Sequence, residues 1–265
     1  MFLKATMVRG GLVVAGAAWL MLAVGIGNAA RADDARDILK SMSDYLAGQK
    51  TIQVTWDTDI EVITPQLEKI QFTNSGETLL QRPDKLRAHR VGGYADVELF
   101  FDGKSAGVIG KDVGYAQVEA AGTVDQLIAK LRAGYGVSLP GADLMLSNVY
   151  DTLIADVMEA KHVGRGVIDG VECEHLAFRN FDTDWQLWVE VGGKPFPRKL
   201  VITSKTINGA PQYTLRIRDW KTDVQPEAKA FVFEPPAGAQ KLDPQALSQL
   251  DELPQGAAAS AGGNK

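Results

Sequence analysis

The sequence predicts a mainly antiparallel β protein of the α+β class, with one large sheet and a few helices set against it. Three observations predict this. Over Thr51–Ile63 apolar and polar side chains alternate, so the segment reads as a long strand with one dry and one wet face. Glycine-containing pairs then recur at Gly92-Gly93, Asp102-Gly103, Asp169-Gly170, Gly192-Gly193 and Asn208-Gly209. These are the residues that tight antiparallel connections need. The helical patterns are too few, and too clustered, for the strand–helix alternation of a parallel sheet.

The chain starts with Lys4 and Arg9, runs through the apolar stretch Gly11–Gly27 and reaches Ala30-Arg31-Ala32. A basic start, a hydrophobic run and an A-x-A exit form a secretory signal, so residues 1–32 are expected to be cleaved and Asp33 to begin the mature protein. The alternative is an uncleaved anchor, because the apolar run lies near the short end for a bilayer span. Cleavage leaves no permanent membrane span. The only cysteine, Cys173, is far from the cleavage point and cannot carry a lipid there. No Arg-Arg pair precedes the apolar run, which favours the general secretory route to the periplasm.

Asp33–Gln49 reads as an amphipathic helix, with Ile38, Leu39, Met42, Tyr45 and Leu46 at three- and four-residue spacing. In the long strand that follows, Ile52, Val54, Trp56, Ile60 and Val62 alternate with Gln53, Thr55, Asp57, Asp59 and Glu61. Short β-like runs come next, at Ile70–Thr73, Lys85–Val91, Val97–Phe101, Ala106–Ile109 and Tyr115–Val118. Thr123-Val124-Asp125-Gln126 fits a capping box opening a helix whose stripe is Val124, Leu127, Ile128 and Leu131, with Gly134 as its stop. A second helix is expected over Asn148–Met158, beyond Pro140 and Gly141. Strands return at Glu172–Phe181, Trp185–Val191, Arg198–Ser204 and Tyr213–Trp220. Residues 33–241 are expected to form one domain. Residues 242–265, rich in Gln, Ala, Gly and Ser, are expected to form a disordered tail.

Composition excludes some functions. Lys4, Arg9 and Arg31 leave with the signal and no acid does, so the remaining 233 residues carry 25 basic against 33 acidic side chains, a net charge of −8. Phosphate neutralisation needs clustered Lys and Arg, so nucleic acid is not an expected partner. One cysteine cannot close an internal disulfide. No G-x-S-x-G, H-E-x-x-H, C-x-x-C or Walker loop occurs, and no cofactor or metal is expected. Cys173 and His175 share a strand face without a visible third ligand, and Asp182 and Asp184 lack the rest of a calcium loop. Trp56, Trp185, Trp188 and Trp220 all fall on expected strands, either as ordinary core or as walls of an apolar pocket.

The C-terminal half carries a family resemblance. Trp185-Gln186-Leu187-Trp188-Val189-Glu190 followed by Lys194-Pro195-Phe196-Pro197-Arg198-Lys199-Leu200-Val201-Ile202 resembles the strand–turn–strand segment of the periplasmic lipoprotein-carrier (LolA/LolB-like) superfamily. Phe231-Val232-Phe233-Glu234-Pro235-Pro236-Ala237-Gly238-Ala239 resembles the last strand and exit of the same proteins. More narrowly, the chain resembles the DUF2092 group of predicted periplasmic proteins. The resemblance implies a half-open, strongly curved β-barrel of about ten or eleven strands, with about three helices as a lid. It also implies a cavity for a hydrophobic ligand such as a lipid or the acyl chain of a lipoprotein.

On that reading Val124, Leu127, Ile128 and Leu131 form the lid, and Trp56, Ile60, Phe72 and Leu187 the lining. No catalytic residue carries over. The leading expectation is a non-catalytic periplasmic carrier or sensor. The alternative is an envelope interaction module with a filled core and a protein partner. An enzyme is a third reading, for which no nucleophile–base or metal constellation can be written down.

Overall fold

The computed structural model describes residues 24–249 apart from 112 and 228. Most of the expected signal segment and residues 250–265 of the expected tail lie outside the described residues. Eleven strands form one sheet: β1 (Thr51–Ile63), β2 (Lys69–Gln81), β3 (Lys85–Gly92), β4 (Asp96–Phe101), β5 (Ser105–Gly110), β6 (Gly114–Glu119), β7 (Glu159–Ile168), β8 (Val171–Arg179), β9 (Thr183–Glu190), β10 (Pro197–Ser204) and β11 (Gln212–Thr222). Their spatial order is β6-β5-β4-β3-β2-β1-β11-β10-β9-β8-β7, with every neighbouring pair antiparallel. The edges β6 and β7 do not pair with each other, so the sheet curls without closing. This is the expected half-barrel.

The long central strand organises it. β1 pairs with β2 along its whole length, from Thr51 opposite Gln81 to Ile63 opposite Lys69. β2 therefore runs well beyond the expected Ile70–Thr73, because the polar run Asn74-Ser75-Gly76-Glu77 conceals its alternation. β7 was not legible either: Gly164 and Gly166 interrupt its pattern, and its register slips between His162 and Gly164.

α1 (Val24–Gly48) closes one half of the concave face. Ala35, Leu39, Met42 and Leu46 recur along one stripe and are fully buried against β7, β8 and β9. Burial of a leucine-sized side chain is worth roughly 1.5–3 kcal/mol, so this stripe suffices to hold the helix down. Beneath it lie Leu176, Leu187 and Val189, all with no more than 1% exposure. Phe196 meets Tyr45 edge-to-face at 5.1 Å and stacks on Trp220 at 4.9 Å.

The other half is covered by the long connection from β6 to β7. α2 (Val124–Tyr135) opens with the expected capping box, in which Gln126 N–H donates to Thr123 Oγ1 and Thr123 N–H to Gln126 Oε1. It stops at Gly136, in the left-handed region at φ 63°, two residues after the expected Gly134. A 3₁₀ turn (Ala142–Met145) and α3 (Val149–Ile154) follow; α3 is shorter than the expected Asn148–Met158.

The last segment departs from expectation. Phe231-Val232-Phe233 forms no strand. Instead Phe233 lies over Gly107, flanked by the rings of Phe100 and Tyr115 at 5.7 and 5.6 Å; a Cβ at Gly107 would meet that ring at 2.1 Å, so only glycine fits. The chain then crosses the β6 edge, where Tyr115 N–H donates to Gln240 O at 2.8 Å and Leu242 N–H to Tyr115 O at 2.7 Å. It continues into a 3₁₀ turn (Pro244–Gln249) with Leu247 buried. That turn lies beyond residue 242, where the tail is expected to begin.

A meander of this kind places its turns alternately at two rims. The lower rim holds the β2–β3, β4–β5, β7–β8 and β9–β10 turns; the upper holds β1–β2, β3–β4, β5–β6, β8–β9 and β10–β11. Among the described residues no helix is long and apolar enough to cross a membrane.

Candidate functional site

α1 fills the concave face over β7–β9 with close-set side chains. Over β1–β5 and β11 the cover is thinner: the end of α2, an irregular loop and one residue of the C-terminal segment. A loop presents fewer inward side chains per unit area than a helix stripe, and here it leaves a partly open cavity of about 240 Å³. Val54, Trp56, Leu86, Ala88, Val97, Leu99, Val108, Leu215 and Ile217 form its walls. Ile128 and Leu131 of α2, residues 136–142, Leu144, Met145 and Leu247 form its roof. Thr78, His89, Arg90, Ser138 and Tyr213 bring the polar atoms.

Several of those polar atoms serve the protein itself. Trp56 Nε1–H donates to Thr78 Oγ1 at 3.1 Å, which holds the indole flat against the wall. His89 Nε2 lies 2.8 Å from Asp96 Oδ1. Tyr213 O–H reaches Pro140 O at 3.4 Å. At Gly141, with φ 80°, a Cβ would stand 2.8 Å from Leu215 Cδ2, so the glycine lets the roof descend onto β11.

The roof is pinned by three charged side chains. Arg132 donates from Nη1 to Asp143 Oδ1 at 2.7 Å and from Nη2 to Leu139 O at 2.8 Å. Asp125 accepts from the backbone N–H of Ser147 at 3.1 Å and from its hydroxyl. Arg82 donates from Nη1 to Met145 O at 2.8 Å and from Nη2 to Leu146 O at 3.1 Å. Burial pushes the Arg82 pKa below the usual guanidinium value, and the nearby charge of Asp125 opposes that shift.

Charge-assisted bonds of the Arg132 kind are worth about 1.5–3 kcal/mol each. Arg132→Gln is therefore expected to speed amide exchange across Val137–Leu146 by roughly ten-fold or more, leaving α2 unchanged. Unaltered exchange in that loop would show that Arg132 is not its pin.

The structure divides the expected site residues. Trp56, Ile128 and Leu131 line the cavity. Ile60 and Phe72 face each other across β1 and β2, on the Trp56 side but nearer the upper rim, where Phe72 meets Tyr94 at 5.5 Å. Val124 and Leu127 are buried elsewhere under α2; Leu127 turns toward Ala120 and Ala121. Leu187 does not reach the cavity, because α1 lies over β9. The reading missed the roof loop, although Val137, Leu139, Leu144, Met145 and Leu146 are unusually apolar for a connection. It also missed Tyr213, Leu215 and Ile217, which alternate along β11.

Elsewhere the chemistry is quiet. Cys173 is fully buried, its thiol pushed up by burial and within 3.5 Å of Val171 O. His175 lies on the same face but stacks on Trp188 at 4.1 Å and pairs with Gln186 Oε1 at 2.9 Å. Among the described residues no group of three or more His, Cys, Asp or Glu could hold a metal ion.

A family model described as "Predicted periplasmic protein (DUF2092)" matches residues 35–243. Among solved structures the chain is similar to the lipoprotein LppX of Mycobacterium tuberculosis, at 16% identity and a TM-score of 0.46, over 73% of this chain and 98% of that one. It is similar to a LolA superfamily protein from Nitrosomonas europaea at 13% identity and a TM-score of 0.37, over 75% and 97% of the two chains. It is also similar to the MucA/MucB complex of Pseudomonas aeruginosa at 13% identity and a TM-score of 0.41, over 76% and 61%. No curated protein matches the chain.

Proposed function

The chain belongs to the DUF2092 family of predicted periplasmic proteins, and for a protein of that compartment we propose the role of a non-catalytic carrier or sensor of a hydrophobic ligand. One observation carries the reading: an apolar cavity roofed by a loop and only the end of one helix. Residues 1–32 act as the export signal, and the domain takes up a lipid or an acyl chain of a lipoprotein between the β1–β5 and β11 wall and the roof.

Size narrows the ligand. Small-molecule pockets span about 300–1,000 Å³, and about 240 Å³ lies below that range. The cavity suits part of one acyl chain rather than several. Each buried CH₂ contributes about 0.8 kcal/mol, so eight methylenes gain roughly 6 kcal/mol before the cost of immobilisation.

The test is mass spectrometry of organic extracts from protein purified out of a periplasm without detergent. A stoichiometric lipid, absent from a mock purification, is the expected result. An empty protein that also fails to take up a fluorescent fatty acid would overturn the reading. That outcome, with a stable partner in crosslinking, is what the alternative of an envelope interaction module predicts.

A further inference from the structure

The cavity is apolar at one end and cationic at the other. Along β3 its wall carries Leu86, Ala88 and Arg90, rising from the lower rim toward the upper. The neighbouring strands hold matching levels. Ala88 stands between Thr78 and Leu99, and Arg90 between Gly76 and Val97, with Trp56 beyond Gly76. Toward the lower rim the lining is dry: Val54, Leu86 and Val108 are at most 8% exposed. Toward the upper rim Trp56, Arg90 and Val97 are half-buried. From the Leu86 level to the Arg90 level the wall climbs about 13 Å, at roughly 3.3 Å per residue.

Among the described residues Arg90 is the only Lys, Arg, Asp or Glu that lines the cavity. His89 faces the other side of the strand, where its Nε2 meets Asp96 Oδ1 at 2.8 Å. The chain as a whole is acidic, with a formal charge of −5, so the cavity's sign runs against that of the protein. An arginine at a pocket mouth often lays its stem on the wall and its head in water. Here the Nε itself is buried, so the guanidinium starts inside the protein. Arg90 also interacts with the protein. A guanidinium carries more N–H donors than one partner takes, so it can hold a ligand as well. A Cβ at Gly76 would overlap the Trp56 indole, so this glycine lets the ring lie across the wall toward the cation.

Resting on the carrier reading, we propose that the ligand is a single-chain amphiphile with an anionic head, a carboxylate or a phosphate, held by Arg90. Its alkyl chain runs down past Leu99 and Ala88 toward Leu86. The guanidinium fork meets either oxyanion at two points and stays protonated at neutral pH. A neutral head leaves that charge unanswered, and a cationic head is repelled by it.

The test is calorimetric titration of protein purified from a periplasm and stripped of bound lipid. The probes are dodecanoic acid, dodecyl phosphate, dodecanol and dodecylamine, each below the concentration at which it aggregates. The wild type is expected to bind at least one of the two anions roughly ten-fold or more tighter than dodecanol, and dodecylamine most weakly. Arg90→Gln is expected to bring the anions down to its own affinity for dodecanol. Arg90→Lys, which keeps the charge, is expected to retain the order acid or phosphate before alcohol. Preference for the acid assigns the head to a free fatty acid, and preference for the phosphate assigns it to a phospholipid.

Equal affinity of the wild type for all four probes would overturn the proposal and leave the carrier reading standing. So would an Arg90→Gln variant that melts like the wild type and keeps the preference for anions. Should Arg90→Gln not fold, the wild-type series and Arg90→Lys decide. Failure to bind any of the four removes the carrier reading, and the assignment of the head with it.

Discussion

Replacing Leu99 by Asp is expected to weaken binding of a fluorescent fatty acid by about a hundred-fold or more while leaving the thermal transition close to that of the wild type. Leu99 lies on β4, opposite Ala88 and Val108, and its side chain is half-buried against the cavity. In the empty protein the cavity is partly open, so a carboxylate there stays hydrated. An acyl chain would strip that water, and desolvating an unpaired carboxylate costs several kcal/mol. A loss of about 3 kcal/mol corresponds to that hundred-fold. Ala88→Trp provides an apolar control, since it blocks the space without adding charge. If both variants bind as the wild type does, the ligand sits outside this cavity.

Leu187→Ala is expected to do the reverse. Leu187 is fully buried beneath α1, beside Leu176 and Phe178. Truncation there leaves a void that a close-packed helix and sheet cannot collapse around, at a cost of about 2–5 kcal/mol. For a domain of this size that lowers Tm by roughly 6–15 °C. Fatty-acid affinity at a temperature where both proteins are folded is expected to be unchanged. A large loss of affinity with an unchanged Tm would mean that α1 is itself the movable lid.

The contrast between these two leucines marks the limit of what periodicity reveals. Alternation identified the inner face of β1, and the helical stripe identified the buried side of α1; both are local properties of the chain. The capping box at Thr123 and Gln126 was legible for the same reason. Which element lies opposite a given inner residue is decided by tertiary packing. Trp56 and Leu187 read alike in sequence, yet one faces a loop and the other a helix. Phe231-Val232-Phe233 is expected to be a strand only because it resembles the last strand of the lipoprotein-carrier superfamily. It lies instead on the outer face over Gly107, and the β6 edge takes its backbone partner from Gln240–Leu242.

The unjoined edges carry one more consequence. In a closed barrel, strand number and stagger together set the girth, and widening it means breaking ladder hydrogen bonds. Here β6 and β7 never meet: one is bordered by the Gln240–Leu242 strap and the other by α1. The sheet can therefore relax or tighten its curl like a split ring, with every interstrand bond intact. On the proposed carrier reading, guests of different thickness would be accommodated by bending, a soft deformation spread over eleven strands, with the seam between the two edges as the expansion joint.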